Sequence, residues 1–177
     1  MNHSDATFRP AKVAVITVSD TRTEETDTSG RYLRETLAEA GHDVVFHTII
    51  KDEPDQIRER VAQLVTSNTC GFVILTGGTG FTPRDGTPEA LAPLYTKRIP
   101  GFGELFRHLS YAQIGPATIQ SRAEAGLCGH AIVFALPGST NACRLAMEKI
   151  ILHQIDNTSK PCNFRGTVGD PVESTPD

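Results

Sequence analysis

A glycine-rich stretch, TGGTGFTPRDGTPEA, spans residues 76–90 and directly follows the apolar run 71–75. Glycines let backbone N–H groups approach a ligand closely, threonines add hydroxyl donors, and a following helix adds partial positive charge. Together with Arg84, the stretch indicates a cradle for an anionic ligand. The residues of this glycine loop are Gly77, Gly78, Thr79 and Gly80. The other interpretation is a tight strand-to-helix turn without a ligand, because the pattern is neither a Walker A nor a GxGxxG motif.

Two acidic residues, Asp52 and Asp85, are candidates for the chemistry of such a site. Two carboxylates beside bound phosphates suit Mg²⁺, which takes few protein oxygens and completes its shell with phosphate oxygens. Either acid can instead orient an attacking group. The structural alternatives are a turn or helix cap at Asp85, before Thr87-Pro88, and an exposed loop acid at Asp52.

The elements that position these residues follow from the alternation of short β-branched runs with helical spacing. Strands are predicted at 12–18, 44–50, 71–75 and 131–136. Helices are predicted at 28–40, from 54, near 88, at 102–112 and at 140–155. The first helix is expected to be capped within Thr28-Ser29-Gly30 and the last by Thr140 or Asn141. Residues 96–130 are otherwise less regular.

This alternation predicts an α/β layered fold with a mostly parallel central sheet. The chain of 177 residues fits one domain. We assign residues 1–11 to a loose N-terminal arm, 12–157 to the domain and 158–177 to an extended C-terminal tail.

Small or polar residues follow each of the four predicted strands. Because ligands bind at the carboxyl ends of parallel strands, these four loops are expected to meet at one edge of the sheet. Taken singly, each serine or aspartate of this kind is more often a turn or capping residue than a functional one. The loop residues in question, apart from the glycine loop, are Ser19, Asp20, Asp52, Pro137, Gly138 and Ser139.

Composition excludes several classes of protein. A net charge of −4 argues against a nucleic-acid binder that relies on a basic face. The N-terminus lacks the apolar segment of a signal peptide, and the longest apolar runs are too short to span a membrane. The four cysteines form no CxxC pair, so reduced thiols and a cytoplasmic location are expected, with Cys70 and Cys143 buried and inert. The six histidines show no metal-ligand spacing.

Several segments together resemble the MoaB/Mog family of molybdenum cofactor biosynthesis proteins, which includes the molybdopterin-binding domain of gephyrin. The resemblance covers about residues 10–165, and the block TGGTG-x₃-RD-x-TPEA is its most specific part. DTSGRYL, PGSTNACR and PCNF look more like the MoaB branch than MogA. The other matching segments are VITVSDTRTEE, IIKDEPDQI, PGFGELFR and the run from Phe134 to Ile155.

The resemblance implies a three-layer α/β/α fold. It also implies a homo-oligomer, trimeric or hexameric, that adenylylates molybdopterin with ATP and Mg²⁺ and releases pyrophosphate. A molybdenum-insertion enzyme would then use the product. In the family, the positions of Asp52 and Asp85 are tied to catalysis. The positions of the glycine loop, Ser19, Asp20 and Pro137-Gly138-Ser139 contact the substrate.

One position departs from the family pattern: Gly86 stands where the motif commonly reads RD-V-TP, which is expected to loosen the backbone beside Asp85. Some MoaB-branch members lack the first acid and the arginine and resemble non-catalytic proteins. This chain keeps Asp52, Arg84 and Asp85, which favours an enzyme. The alternatives are a non-catalytic molybdopterin-binding oligomer and a generic nucleotide-binding domain; the latter is disfavoured because no GxGxxG loop is followed by a ribose-binding acid.

Overall fold

The computed structural model describes residues 7–168. Six strands form one sheet: β1 Lys12–Val18, β2 Asp43–Ile50, β3 Phe72–Thr76, β4 Lys97–Arg98, β5 Glu124–Cys128 and β6 Ala131–Leu136. The helices are α1 Thr28–Glu39, α2 Pro54–Ser67, α3 Thr87–Leu91, α4 Pro100–Ile114, α5 Thr140–Ala146 and α6 Leu152–Ile155. A π-helical segment, Met147–Ile151, joins α5 to α6.

The strand order is β2-β1-β3-β6-β5-β4. The first four strands of this order are parallel, while β5 and β4 add an antiparallel edge. Parallel strands buried on both faces consist of nearly continuous apolar residues, and β3 and β6 are buried at every position. The carboxyl ends of β1, β2, β3 and β6 therefore lie at one edge.

Helices cover both faces of the sheet. One core packs strand residues such as Phe72 and Phe134 against α1, α4 and the α5–α6 run. The other packs residues such as Val73 and Val133 against α2 and α3. This arrangement confirms the predicted three-layer α/β/α fold. Within residues 7–168, no helix has the length and apolarity needed to cross a membrane.

The helix caps differ from the prediction by one residue each. Asp27, not a residue of Thr28-Ser29-Gly30, is the N-cap of α1, and its carboxylate accepts hydrogen bonds from the N–H of Gly30 at 2.9 Å and the hydroxyl of Thr17 at 2.6 Å. Ser139, not Thr140 or Asn141, caps α5. In both places the side chain just before the helix accepts a hydrogen bond from a backbone N–H of the first turn, as capping residues do.

The irregular region 96–130 contains two strands that the sequence did not indicate. β5 pairs antiparallel with β6, and the two-residue β4 pairs with β5. Gly126 brings β5 close to the ring of Tyr95, where an added Cβ would lie 2.2 Å from Cδ1. A short strand with a central glycine carries little β signal of its own, and pairing with β6 determines its conformation.

Both ends of the described chain are attached to the domain. The N–H of Arg9 donates to Oδ1 of Asn157 at 2.8 Å, and Asn157 donates to the carbonyl of Thr7 at 2.8 Å. Residues 7–11 are therefore not loose. Val168 is buried in the core, so the first part of the tail is not extended away from the domain. Residues 1–6 and 169–177 lie outside the described part.

His42 links stability to pH at this end of the molecule. Its Nδ1 accepts a hydrogen bond from the N–H of Ala11 at 3.1 Å, and burial lowers the pKa of the imidazole, with Asp156, Arg165 and Asp43 as the surrounding charges. Because the unfolded state binds the proton more readily, stability should be complete above about pH 6.5 and fall as pH drops below it, by up to about 1.4 kcal/mol per pH unit.

Urea unfolding between pH 5 and 8 measures this slope. His42→Gln should flatten the slope below pH 6.5, whereas His108→Gln, at an exposed position, should keep it. An unchanged slope in His42→Gln would assign the pH dependence to other groups.

Candidate functional site

Backbone and side-chain hydrogen bonds join the four loops that follow β1, β2, β3 and β6. The N–H of Gly77 donates to the carbonyl of Leu136 at 3.0 Å, which ties the glycine loop to the end of β6. The N–H of Asp52 donates to Oδ1 of Asp20 at 3.2 Å, which ties the loops after β1 and β2. Gly138 is packed against Gly77: a Cβ added to Gly138 would lie 3.5 Å from the Gly77 Cα. The predicted meeting of the loops at one edge is confirmed.

A cleft of about 470 Å³ opens at this edge. The glycine loop and Pro137-Gly138-Ser139 form one side of it, as the sequence suggested. The opposite side comes from α4 and the 3₁₀ turn after it, which the sequence did not indicate. No Lys or Arg side chain is among the described residues that line the cleft, so backbone N–H groups, hydroxyls and the amide of Gln120 are its donors. The lining of this second side is Phe106, Ser110, Ile114, Ala117, Gln120 and Ser121.

Asp85 lines the cleft and also organises the loop before it. Its Oδ2 accepts hydrogen bonds from the N–H and hydroxyl of Thr82 at 2.8 and 2.6 Å. A hydrogen bond from the Thr82 hydroxyl lowers the pKa of the Asp85 carboxyl, and hydrogen bonds from the N–H groups of Thr82 and Gly80 lower it further. Asp85 is thus ionised at neutral pH. It closes a turn with Thr82 and also lines the cleft, while Gly86 and not Asp85 is the N-cap of α3.

Asp52 does not line the cleft but lies behind the glycine loop. Only 8% of it is exposed, which contradicts the alternative of an exposed loop acid. Its Oδ1 accepts a hydrogen bond from the N–H of Gly86 at 3.2 Å. Burial raises the pKa of this carboxyl, and the neighbouring charges of Asp85 and Asp20 raise it further. An added Cβ on Gly78 would lie 2.7 Å from Oδ2 of Asp52, so the loop passes directly over the acid.

Arg84 and Asp20 form an ion-pair network outside the cleft. Nη2 of Arg84 lies 2.7 Å from Oδ2 of Asp20, and Nη1 lies 2.9 Å from Oε1 of Glu53. The hydrogen bond from Arg84 lowers the pKa of Asp20. Ser19 accepts hydrogen bonds from the N–H groups of Thr21 and Arg22, as a turn residue does. In this structure Ser19, Asp20 and Arg84 connect loops and do not face the cleft.

Gly86, which stands where the family motif commonly has valine, is tightly packed. Its N–H is bound to Asp52, and an added Cβ would lie 2.7 Å from Cγ of Pro54. A valine here would push against the first turn of α2. The missing side chain therefore allows a close approach, and the expected loosening of the backbone is not seen.

The donor set of the two acids fits a magnesium ion. Asp52 Oδ2 accepts no hydrogen bond from residues 7–168, and a buried carboxylate with an open oxygen and a raised pKa is favourable for a cation. Within the same residues, no three His, Cys, Asp or Glu side chains are grouped as a metal site. A cation held by Asp52 and Asp85 would take its other ligands from substrate phosphates and water.

Arg122 contacts the glycine loop, and the sequence did not single it out. It lies in the irregular region before β5 and carries no motif. Its Nε donates to the carbonyls of Thr79 and Gly80 at 3.3 and 2.8 Å, and its Nη2 to the carbonyl of Asp85 at 3.0 Å. Only the pairing of β5 with β6 brings it to the glycine loop.

No cysteine of residues 7–168 lines the cleft. Cys70, Cys128 and Cys143 are buried, and burial raises the pKa of the Cys70 and Cys143 thiols to about 11. This confirms the prediction that Cys70 and Cys143 are buried thiols of low reactivity.

The fold and the cleft define an α/β protein with a small-molecule cleft at the carboxyl edge of a mostly parallel sheet. Residues 14–157 match the family described as "Probable molybdopterin binding domain". The chain belongs to this family, as the resemblance of its motifs indicated.

Relatives and solved structures agree with this assignment. Molybdenum cofactor biosynthesis protein B of Escherichia coli K12 is 48% identical over 164 residues, covering 93% of this chain and 96% of the relative. The protein of that name from Bacillus subtilis strain 168 is 49% identical over 142 residues, covering 80% and 84%. A crystal structure of molybdenum cofactor biosynthesis protein B superposes with a TM-score of 0.79 at 47% identity, covering 81% of this chain and 90% of that one. The predicted MoaB-type affiliation is confirmed.

Proposed function

We propose that this protein acts in molybdenum cofactor biosynthesis by transferring the adenylyl group of ATP to molybdopterin. An oxygen of the molybdopterin terminal phosphate forms a bond to the α-phosphorus of ATP, the bond from that phosphorus to the bridging oxygen of the β-phosphate breaks, and pyrophosphate leaves. The observation that carries the proposal is the pair of acids that touch the glycine loop: a Cβ added to Gly78 would lie 2.7 Å from Oδ2 of Asp52, and one added to Gly80 would lie 2.7 Å from Oδ2 of Asp85. The conclusion also draws on the molybdopterin-binding family assignment.

The residues of the cleft would bind and orient the two anions. The N–H groups of Gly78 and Thr79 and the hydroxyl of Ser139 are donors that suit phosphate oxygens, whereas the N–H groups of Gly77 and Gly80 are bonded to Leu136 and Asp85. The amide of Gln120 and the hydroxyls of Ser110 and Ser121 suit the edge of a polar heterocycle, and Phe106 with Ile114 suits its faces. Holding two reactants in line supplies most of the rate in such a transfer.

Magnesium, held by Asp52 and Asp85, would neutralise the charge of the phosphates when bound.

We further propose that the protein is a cytoplasmic homo-oligomer, a trimer or hexamer, and that its product passes to a molybdenum-insertion enzyme. These proposals follow from the family resemblance, and ATP, Mg²⁺ and molybdopterin are the ligands they require.

A second candidate is a non-catalytic molybdopterin-binding oligomer of the same pathway. Its support is the network of Asp20, Arg84 and Glu53, which engages Arg84 in ion pairs away from the cleft. Incubation with molybdopterin, ATP and Mg²⁺, followed by measurement of pyrophosphate and of the adenylylated product, separates the two. No product above a control without enzyme leaves only the binding function.

Asp85→Asn tests the assignment of that acid. We expect pyrophosphate release to fall about 100-fold, while the affinity for molybdopterin changes by only a few fold because the cleft lining keeps its shape. An asparagine oxygen can still accept from Thr82. Equal losses of turnover and binding would make Asp85 a structural or ligand-contact residue without a metal-binding function.

A further inference from the structure

Arg122 holds the glycine loop through its backbone. Its guanidinium donates to the carbonyls of Thr79, Gly80 and Asp85, forms an ion pair with Glu89, and lies over the ring of Phe81 at 5.2 Å from the centroid. The side chain is only 22% exposed, so these charge-assisted hydrogen bonds are poorly screened by water.

These contacts determine which way the peptide groups of the loop point. In a trans peptide the C=O of one residue and the N–H of the next point in opposite directions. Because Arg122 draws the Thr79 carbonyl to itself, the N–H of Gly80 turns away, and it acts on the Asp85 carboxyl. The bond to the Asp85 carbonyl fixes the other end of the loop.

A second arginine fixes the segment that carries Arg122. Nη1 of Arg107, on α4, donates to the carbonyls of Ser121 and Ala123 at 3.3 and 3.1 Å. These two residues flank Arg122 in the chain. The wall of the cleft made by α4 is thus connected to the glycine loop through two successive arginine–carbonyl contacts.

We propose that Arg122 is a positioning residue that sets the glycine loop and the Asp85 carboxylate for reaction. Arg122 is not among the described residues that line the cleft, and it acts through Asp85 and the loop. The effect on turnover rests on the proposed adenylyl transfer, whereas the effect on the loop does not.

Hydrogen–deuterium exchange tests the loop directly. The N–H groups of Thr82, Asp85 and Thr87 are bonded within or across the loop, so their exchange reports its opening. In Arg122→Met, which keeps an apolar side chain without donors, these amides should exchange at least about tenfold faster. The amides of β1 and β3 should exchange as in the wild type. Unchanged loop exchange, or an equal loss of protection in the strands, overturns the proposal.

Matched variants separate position from charge. Glu89→Gln removes the ion pair with Arg122 but leaves its three hydrogen bonds to carbonyls. Arg98→Met removes a different arginine, which pairs with Glu124. Both variants should show the same loop exchange as the wild type. Arg122→Lys, which keeps one charge, should fall between the wild type and Arg122→Met. If Arg122→Met does not fold, Arg122→Lys decides: selectively faster loop exchange supports the proposal, and wild-type exchange overturns it.

Kinetics give the second measurement. Arg122→Met should lower kcat for pyrophosphate release about 100-fold and raise KM for ATP by less than about fivefold, since misplacement affects the reacting geometry more than binding. Arg122→Lys should restore part of kcat. A change confined to KM would contradict positioning. If the wild-type protein releases no pyrophosphate, the proposed function fails, and the exchange experiment still tests Arg122.

Discussion

Asp52→Asn should lower pyrophosphate release about 1000-fold and leave the protein folded. Asp52 is buried behind the glycine loop, and one of its oxygens accepts no hydrogen bond from the described residues. Such a carboxylate has a strong preference for a cation, and an amide cannot replace it. Losing one preorganised electrostatic contact in a water-poor site costs about 10²–10³ in rate, and Asp52 has fewer competing partners than Asp85.

Stability should move in the opposite direction from activity. Burial raises the pKa of Asp52 above its unfolded value, so the folded state binds a proton more readily than the unfolded state. The ionised carboxylate therefore opposes folding, and this cost is complete above the raised folded-state pKa and disappears as pH falls below the unfolded value. Asparagine removes the charge and keeps an oxygen for the Gly86 N–H. Asp52→Asn should be at least as stable as the wild type at pH 7 in urea unfolding.

Two controls complete this experiment. Asp52→Ala also removes the acceptor for the Gly86 N–H and should cost about 1–2 kcal/mol of stability relative to Asp52→Asn. Asp55→Asn removes an exposed acid in the first turn of α2, which pairs with Arg58, and should keep full activity. Wild-type turnover in Asp52→Asn would exclude this carboxylate from the chemistry.

The sequence predicted the part of the site that follows from strand ends. Short β-branched runs place Gly77 and Pro137 at the carboxyl ends of parallel strands, and topology alone brings such ends to one edge. The sequence could not distinguish Ser19 from Ser139, because both follow a buried strand. Ser19 closes a turn, whereas Ser139 both caps α5 and lines the cleft.

The rest of the site depends on contacts between distant segments. The burial of Asp52 arises because the glycine loop, some 26 positions later, passes over it. The contacts of Arg122 require β5 to pair with β6, and the sequence of β5 contains a glycine and little β propensity. Neither feature leaves a periodic or motif signal within a short window, so only the assembled sheet shows them.

Gly77→Ala should destabilise the protein by about 3 kcal/mol or more, the largest stability loss we expect from a single methyl group in the site. Gly77 has φ of +110°, which L side chains rarely adopt, and this strain costs about 1–3 kcal/mol. The added Cβ would also lie 2.1 Å from the carbonyl oxygen of Val18, at the end of β1. A backbone atom of a central strand cannot move aside as a flexible side chain can, so overpacking adds about 1–3 kcal/mol.

The backbone of Gly77 has no freedom to relieve this contact. Its N–H is bonded to Leu136 at the end of β6, and its carbonyl accepts from the hydroxyl of Thr87 at 2.9 Å. Gly138→Ala is the matched control in the same cleft, because its Cβ would meet the Cα and N of Gly77 at ordinary distances of 3.5 and 3.9 Å. It should change stability by less than about 0.5 kcal/mol. Urea unfolding of both variants measures the difference. Similar stabilities would mean that the loop can move away from β1, and then Gly77 would serve the ligand and not the junction of the three strands.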